Sequence, residues 1–177
     1  MHALSRAHYL AASLVGTLSL SGAALAASTQ AQVPCHLTGE LYCREWGSGQ
    51  TPPFLRSYPL TVPGPGSALV TYNGSLYCAN KAISARRVVD FITEISDTTA
   101  GAISPADPGA LRVAADLEPA KVASSSTSTT FNLASSRVFQ LSAGGAKTFY
   151  MRIATQRMDA STTCYIYDDS LTVTFVP

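Results

Sequence analysis

The sequence has 177 residues, with 12 Lys or Arg and 11 Asp or Glu, and its formal net charge at pH 7 is +1. Nucleic acids and anionic membranes attract proteins with a basic excess, so this balance argues against both as partners. The length suits one domain with a sizeable core.

Residues 1–26 have the three-part layout of a secretory signal peptide. Arg6 precedes a run of apolar and small residues, and the run closes on an A-x-A motif at Ala24 and Ala26. This run is shorter than the roughly 20 apolar residues that a membrane span needs. We expect cleavage after Ala26, or alternatively after Ala31, and export to the periplasm, the cell surface or the extracellular medium. No later stretch is long and apolar enough to span a bilayer, so we expect no membrane span in the mature chain.

Four cysteines follow the cleavage site, and an even number in an exported chain predicts two disulfides. The Thr-Gly centre of "CHLTGELYC" predicts a hairpin that would bring Cys35 opposite Cys43. Cys78 would then pair with Cys164 by elimination, although the sequence leaves the other two connectivities open. Zinc is the alternative, but Cys-x7-Cys is not the spacing of a zinc finger and His36 is the only histidine after the cleavage site.

Residues 46–66 are punctuated by five prolines and several glycines, which exclude long helices and central strands. We expect an extended connector here, with one edge strand at 60–62. Together with the predicted disulfide hairpin, this connector forms a segment at 27–66 that precedes a sandwich core at 67–177.

The next stretch, "ALVTYNGSLYCA", places Asn73 and Gly74 between two β-prone runs. This dipeptide is typical of a tight hairpin turn and predicts one here. The stretch 85–96 fits either a helix face or a strand face, and its β-branched residues favour a strand.

Three later segments alternate apolar and polar residues, as strands with one face on a core do. They are "LRVAADLE" at 111–118, "TFYMRIAT" at 148–155 and "CYIYDDSLTVTFVP" at 164–177. Between the first two, the polar "ASSSTSTT" at 123–130 predicts a loop. In the closing segment we expect two short strands around 168–170, the second with Leu171, Val173 and Phe175 on its core face.

Short strands separated by turn signals, without convincing amphipathic helices, predict an all-β fold. We expect a single-domain antiparallel β-sandwich or jelly roll that follows a cleaved N-terminal signal peptide.

The order "LSAGGAKTFYMRI", a turn-rich loop with acidic residues and a terminal "SLTVTFVP" resembles the end of jelly-roll modules of the complement-head and tumour-necrosis-factor type. The resemblance covers roughly the last 40 residues and implies a trimeric binding or structural head. Fimbrial subunits are a competing resemblance, since they too are exported sandwiches with an early disulfide and a C-terminal strand. The chain ends Phe175-Val176-Pro177 and so departs from their penultimate Tyr.

Catalytic signatures are scarce in this sequence. A hydrolase needs a nucleophile, a base and an orienting group, and the sole imidazole of the mature chain, His36, sits inside the predicted disulfide hairpin. The sequence contains no G-x-S-x-G, phosphate-loop or H-E-x-x-H motif. We therefore expect a surface histidine, no enzymatic activity and no cofactor.

Three carboxylates near the end of the chain are candidate metal ligands. In an extended strand the adjacent Asp168 and Asp169 would point to opposite faces, and could not act together as a glycosidase pair. In a turn they could instead join Asp159 around Ca²⁺, which takes several oxygen ligands from flexible loops. A solvated turn without a metal is the alternative.

Three aromatic residues, Trp46, Phe54 and Tyr58, lie in the proline-rich connector. Aromatic side chains held outside a sheet could form a sugar-binding platform, although such residues more often cover a core.

Together these features predict an exported, disulfide-stabilised, non-enzymatic β-sandwich with a structural or adhesive role at the cell surface. A secreted carbohydrate- or ligand-binding module is the alternative, and a fimbrial-type subunit is the second alternative. The partners that we expect are a surface glycan or further copies of the chain.

Overall fold

The structure is a computed structural model that describes residues 28–31, 43–52 and 54–177. Within these ranges the chain forms nine β-strands and no helix. In chain order they are β1 (Ser28–Ala31), β2 (Arg44–Gly47), β3 (Arg56–Val62), β4 (Gly66–Asn80), β5 (Arg87–Ser96), β6 (Leu111–Leu117), β7 (Thr127–Leu141), β8 (Gly145–Met158) and β9 (Thr162–Val176). No helix in these ranges is therefore long and apolar enough to cross a membrane.

The strands form two antiparallel sheets that pack face to face. Sheet A has five strands in the order β1-β9-β4-β7, and β2 pairs with the same edge of β9 as β1 does. Sheet B has four strands in the order β3-β8-β5-β6. The predicted all-β sandwich is therefore confirmed. The segment expected at 27–66 contributes β1 and β2 to sheet A and β3 to sheet B.

The core lies between the sheets because alternate residues of each strand point to the same side. Aromatic rings from opposite sheets meet there: Trp46 of β2 lies 5.9 Å from Phe91 of β5, and Phe139 of β7 lies 5.0 Å from Phe149 of β8. On β9, the predicted core residues are 1% (Leu171), 0% (Val173) and 4% (Phe175) exposed. This prediction of the inward face is confirmed.

The strands predicted at 85–96, 111–118 and 148–155 are present as β5, β6 and β8. The edge strand expected at 60–62 is also present and longer, since β3 lies at one edge of sheet B. The predicted loop at 123–130 is only half correct, because β7 begins at Thr127 and pairs with the end of β4.

The predicted hairpin turn at Asn73-Gly74 is wrong. β4 runs through these residues without a break, and Asn73 pairs with Ala134 on one side and Ser170 on the other. Gly74 is required here for space: a Cβ on it would lie 2.7 Å from the Tyr72 hydroxyl oxygen. The glycine thus serves packing inside a strand rather than a turn.

The predicted turn at 168–170 is also wrong, because β9 is continuous. The pairing of β9 with β4 shifts between Gly74 and Leu76, which marks a β-bulge. Gly74 pairs with Asp169 and Leu76 with Ile166, so the extra residue falls at Tyr167 and Asp168. The residues that predict a turn therefore lie at a bulge, and the strand continues through it.

The predicted disulfide between Cys78 and Cys164 is confirmed. These two residues are directly opposite each other on β4 and β9, and both are fully buried. Cys43 is also disulfide-bonded. Its predicted partner Cys35 lies outside the described residues, as do His36 and the expected signal peptide.

Candidate functional site

The three predicted metal ligands do not converge, because Asp159 lies far along the chain from the neighbouring Asp168 and Asp169. Asp159 follows β8, where its carboxylate accepts hydrogen bonds from Arg157 Nε and the Val88 amide, both at 2.8 Å. Thr162, at the start of β9, donates a hydrogen bond to the carbonyl oxygen of Asp159. Asp169 lies seven residues further along β9, and is therefore about 20 Å from Asp159 at the usual strand rise. In the described part of the chain, no three His, Cys, Asp or Glu residues could share a metal ion. The predicted calcium trio is therefore not assembled, because the continuous strand replaces the expected turn.

Asp168 and Asp169 do point to opposite faces of the strand, as extended neighbours should. Asp168 is exposed, whereas Asp169 is 7% exposed. Arg56 of sheet B binds the Asp169 carboxylate through both Nε (3.1 Å to Oδ2) and Nη2, and the Tyr72 hydroxyl donates to Oδ2 at 3.3 Å. The ion pair raises the pKa of Arg56, while burial, followed by the charge of Asp169, raises the pKa of Tyr72. This network joins the two sheets.

The predicted aromatic platform is not formed. Trp46 is only 3% exposed and packs edge-on against Phe91, so it cannot present its ring to a sugar. Tyr58 is half-buried against the core. Phe54 instead lies near sheet B, with its ring 5.4 Å from that of Tyr150. The three residues take separate positions because β2 and β3 belong to different sheets.

The outer side of sheet B, called here the covered face, lies partly beneath the 97–110 loop. Arg152 binds Glu94 across β8 and β5 at 2.7 Å, and its Nη2 donates to the carbonyl of Gly101 in the loop. Burial is the main cause that raises the pKa of Glu94, and hydrogen bonding with Asp107 of the same loop adds to it. Nearer the rim, Arg112 binds Asp90 at 2.6 Å. Ion pairs and a loop thus occupy this side of the molecule.

The outer side of sheet A, called here the open face, has a different composition. Among the outward positions described on β2, β4, β7 and β9 there is no Lys or Arg, and the acidic residues are Glu45 and Asp168. Hydroxyl and amide side chains predominate. On β7 every outward residue is exposed, namely Ser128, Thr130, Asn132, Ala134, Ser136, Val138 and Gln140.

Three tyrosines, called here the tyrosine cluster, lie side by side on the open face. Tyr77 of β4 is directly opposite Tyr165 of β9, with ring centroids 5.9 Å apart, and Tyr167 is 5.7 Å from Tyr77 and 6.3 Å from Tyr165. Burial, followed by the neighbouring charge of Glu45, raises the pKa of Tyr165. All three rings are half-buried, so part of their surface faces solvent.

An open depression of about 460 Å³ adjoins this cluster. Its polar rim comes from Asn73 and Ser75 of β4, Asn132 of β7, and Asp168 and Ser170 of β9. Part of its wall is backbone at the site of the β9 bulge, where β4 carries a glycine. The depression therefore lies at the centre of the open face.

Sequence reasoning missed the tyrosine cluster, although a signal was present. Tyr77 directly precedes Cys78, and Tyr165 directly follows Cys164. A disulfide between adjacent antiparallel strands fixes their register, and the flanking residues then meet on the opposite side of the sheet. The predicted disulfide would have indicated the tyrosine pair only together with an antiparallel pairing of these two strands, which the sequence did not predict.

Neither a scan of models of known protein families nor a search of curated proteins finds a match for this chain. A proposal of function therefore rests on the geometry of the open face.

Proposed function

We propose that this chain is an exported, disulfide-stabilised, non-enzymatic β-sandwich that acts as an adhesive module, with the open face as its contact surface. The observation that carries this proposal is the contrast between the two outer sides. The covered face is occupied by ion pairs and a loop. The open face is broad, has no Lys or Arg and only two carboxylates at its described outward positions, and bears three half-buried tyrosines. Tyrosine is enriched where proteins contact partners, because its ring is amphipathic and loses little conformational freedom.

A buried disulfide indicates folding under oxidising conditions, which supports export to the periplasm, the cell surface or beyond. The predicted signal peptide agrees with this destination. A non-enzymatic role is supported by the state of the most buried carboxylates: Asp169 is bound by Arg56, and Glu94 is bound by Arg152. Groups engaged in this way stabilise the sandwich and are poorly placed to exchange protons with a substrate.

Adhesion can be tested by placing charge on the open face without touching the tyrosine cluster. Ser136 and Thr172 flank Thr71 on neighbouring strands, and all three point outward. We expect a Ser136→Lys, Thr172→Lys variant to bind cell-envelope material of the source organism at least about tenfold more weakly than the native chain. Thr148→Lys on the outer side of β8 is the matched control and should bind normally. Equal binding by the open-face variant would contradict the proposal.

Self-association is a second candidate, favoured by exposed aliphatic residues at one end of the open face. Leu69 is directly opposite Val138, and they are 42% and 56% exposed, while Val176 is 49% exposed. A trimeric head of the kind that the jelly-roll resemblance implies would bury such side chains. Sedimentation should then show an oligomer that Val138→Glu dissociates, whereas a native chain that stays monomeric at high concentration would reject this candidate.

A further inference from the structure

We propose that the tyrosine cluster and the central depression together bind a neutral glycan chain. This inference rests on the proposed adhesive function and names the chemical class of the partner. Three independent properties of the open face support it: aromatic rings, a line of polar side chains beside those rings, and the absence of basic residues from its described outward positions.

The first property is the aromatic surface. A pyranose ring has an apolar side made of C–H groups, and an aromatic ring offers a flat apolar surface that fits it. Tyr77 and Tyr167 provide two such rings with centroids 5.7 Å apart and nearly perpendicular planes. The two rings therefore differ in orientation, and because both are half-buried, part of each remains accessible to a ligand above the sheet.

The second property is the line of polar groups beside the rings. Asn73, Ser75 and Tyr77 are successive outward residues of β4, so Asn73 lies about 13 Å from Tyr77 at the usual strand rise. Asn132 lies opposite Ser75 on β7 and is exposed. Each amide offers two N–H donors and a carbonyl acceptor, which suits sugar hydroxyls that both donate and accept. The distance accommodates more than one sugar unit.

The third property is charge. An anionic polymer would need Lys or Arg to balance its charge, and the described outward positions of the open face have neither. The exposed carboxylate of Glu45 adds negative charge to this face. Neutral hydroxyl-rich chains match the hydroxyl and amide composition of this face, so a neutral glycan is the class that fits.

The site is also held rigid before any ligand arrives. The pair Tyr77 and Tyr165 is adjacent in register to the buried disulfide between Cys78 and Cys164. At the depression, Asp169 is fixed by the buried ion pair with Arg56. Little conformational entropy is therefore lost on binding, which favours affinity in a shallow site.

Affinity electrophoresis of the purified chain would test this inference directly, in gels containing either neutral polysaccharides (a β-glucan, a mannan and a galactan) or anionic alginate. We expect at least one neutral polysaccharide to retard the native chain and alginate to have no effect. Tyr77→Ala should weaken the retardation about tenfold, and Tyr77→Phe should retain it, since the ring is kept. Asn132→Ala should weaken it about fivefold, which corresponds to one lost hydrogen bond.

Tyr150→Ala is the matched control, because it removes an equally half-buried tyrosine from the other sheet. It should leave the retardation unchanged. If Tyr77→Ala fails to fold, as near-ultraviolet circular dichroism would show, the exposed Asn132 variant still tests the site. Retardation by none of the neutral polysaccharides, or equal retardation of the native, Tyr77→Ala and Asn132→Ala chains, would overturn the inference.

The two proposals fail in different ways. If charge on Ser136 and Thr172 abolishes envelope binding while no neutral polysaccharide retards the chain, the adhesive function stands and its partner is not a neutral glycan. If the same charges leave envelope binding intact, the adhesive function itself fails.

Discussion

The two outer sides of this sandwich differ in charge and in how much of their surface is exposed to solvent. The covered face buries Glu94 and Arg152 under a loop and balances their charges against each other. The open face consists mainly of hydroxyl, amide and tyrosine side chains, and its described outward positions have no Lys or Arg. The two sides of a single two-layer fold can therefore differ, with one side packed beneath a loop and the other left open to solvent.

Each of the two faces has a physical disadvantage. Desolvating two ions costs several kcal/mol, which their attraction and the loop hydrogen bonds must offset. A face with few charged residues has weak protection against unwanted association, and protein surfaces are usually charged for that reason. The proposed adhesive role would require such a face.

The largest effect should come from the inner side of β9, whose outer side belongs to the open face. Phe175 is 4% exposed, so Phe175→Ala should lower the free energy of unfolding by about 3 to 5 kcal/mol through lost burial and a cavity. Thr174, its half-exposed neighbour, should lose far less on replacement by Ala. Urea denaturation of both variants measures the contrast. Equal losses would mean that the inward and outward sides of β9 are wrongly assigned.

The second prediction concerns the covered face. Arg152→Met should lower the free energy of unfolding at pH 7 by about 3 kcal/mol, because it leaves the Glu94 carboxylate buried without its cation. Arg112→Met is the control: the Arg112 side chain is 61% exposed, so its loss should cost less than about 1 kcal/mol. If the two variants unfold at the same denaturant concentration, the Glu94 pair is not protected by the loop.

The pH dependence of stability should also report the burial of Glu94, with a smaller effect. Burial raises the pKa of Glu94 above 4.5, so between pH 4.5 and the folded pKa only the folded state holds this proton. Its contribution to stability is therefore present below pH 4.5 and is lost as the pH rises through the folded value. The groups that face Glu94 are Arg152 of β8, Asp107 of the loop and Arg137 of β7.

Glu94→Gln should remove the pH-dependent contribution of Glu94 to stability. Denaturant midpoints measured from pH 4 to pH 8 should decline more steeply for the native chain than for the variant, after the common contribution of the other groups is subtracted. Parallel curves would show that Glu94 titrates normally and that the loop does not desolvate it.

The smallest effect is expected on the open face. Ser136 is exposed on the outermost strand of sheet A, and Ser136→Lys should change the free energy of unfolding by less than about 0.5 kcal/mol. Thermal melts of the native and substituted chains, in the same buffer, are sufficient to check this. A loss above 1 kcal/mol would mean that Ser136 has a structural contact, so the face would not be a free contact surface.

Several features of this protein follow from local sequence alone. Strict alternation at 171–175 determines which side chains of the last strand face the core, since neighbours on a strand point to opposite sides. The density of β-branched residues in β5 was sufficient to favour a strand, although burial of both its sides by sheet A and the 97–110 loop obscured the alternation. The bond between Cys78 and Cys164 was expected by elimination, once the short loop between Cys35 and Cys43 had been assigned to a first pair.

Tertiary structure decided the rest, because it depends on which strands become neighbours. Asn73-Gly74 has the local chemistry of a turn, yet β7 and β9 pair with both sides of β4 there and hold it straight. The space needed by the buried Tyr72 hydroxyl, rather than a turn, requires the glycine. The tyrosine cluster and the pairing of Arg56 with Asp169 join residues about a hundred positions apart. Only strand register brings such residues together, and register is set by the packing of whole sheets rather than by any short stretch of sequence.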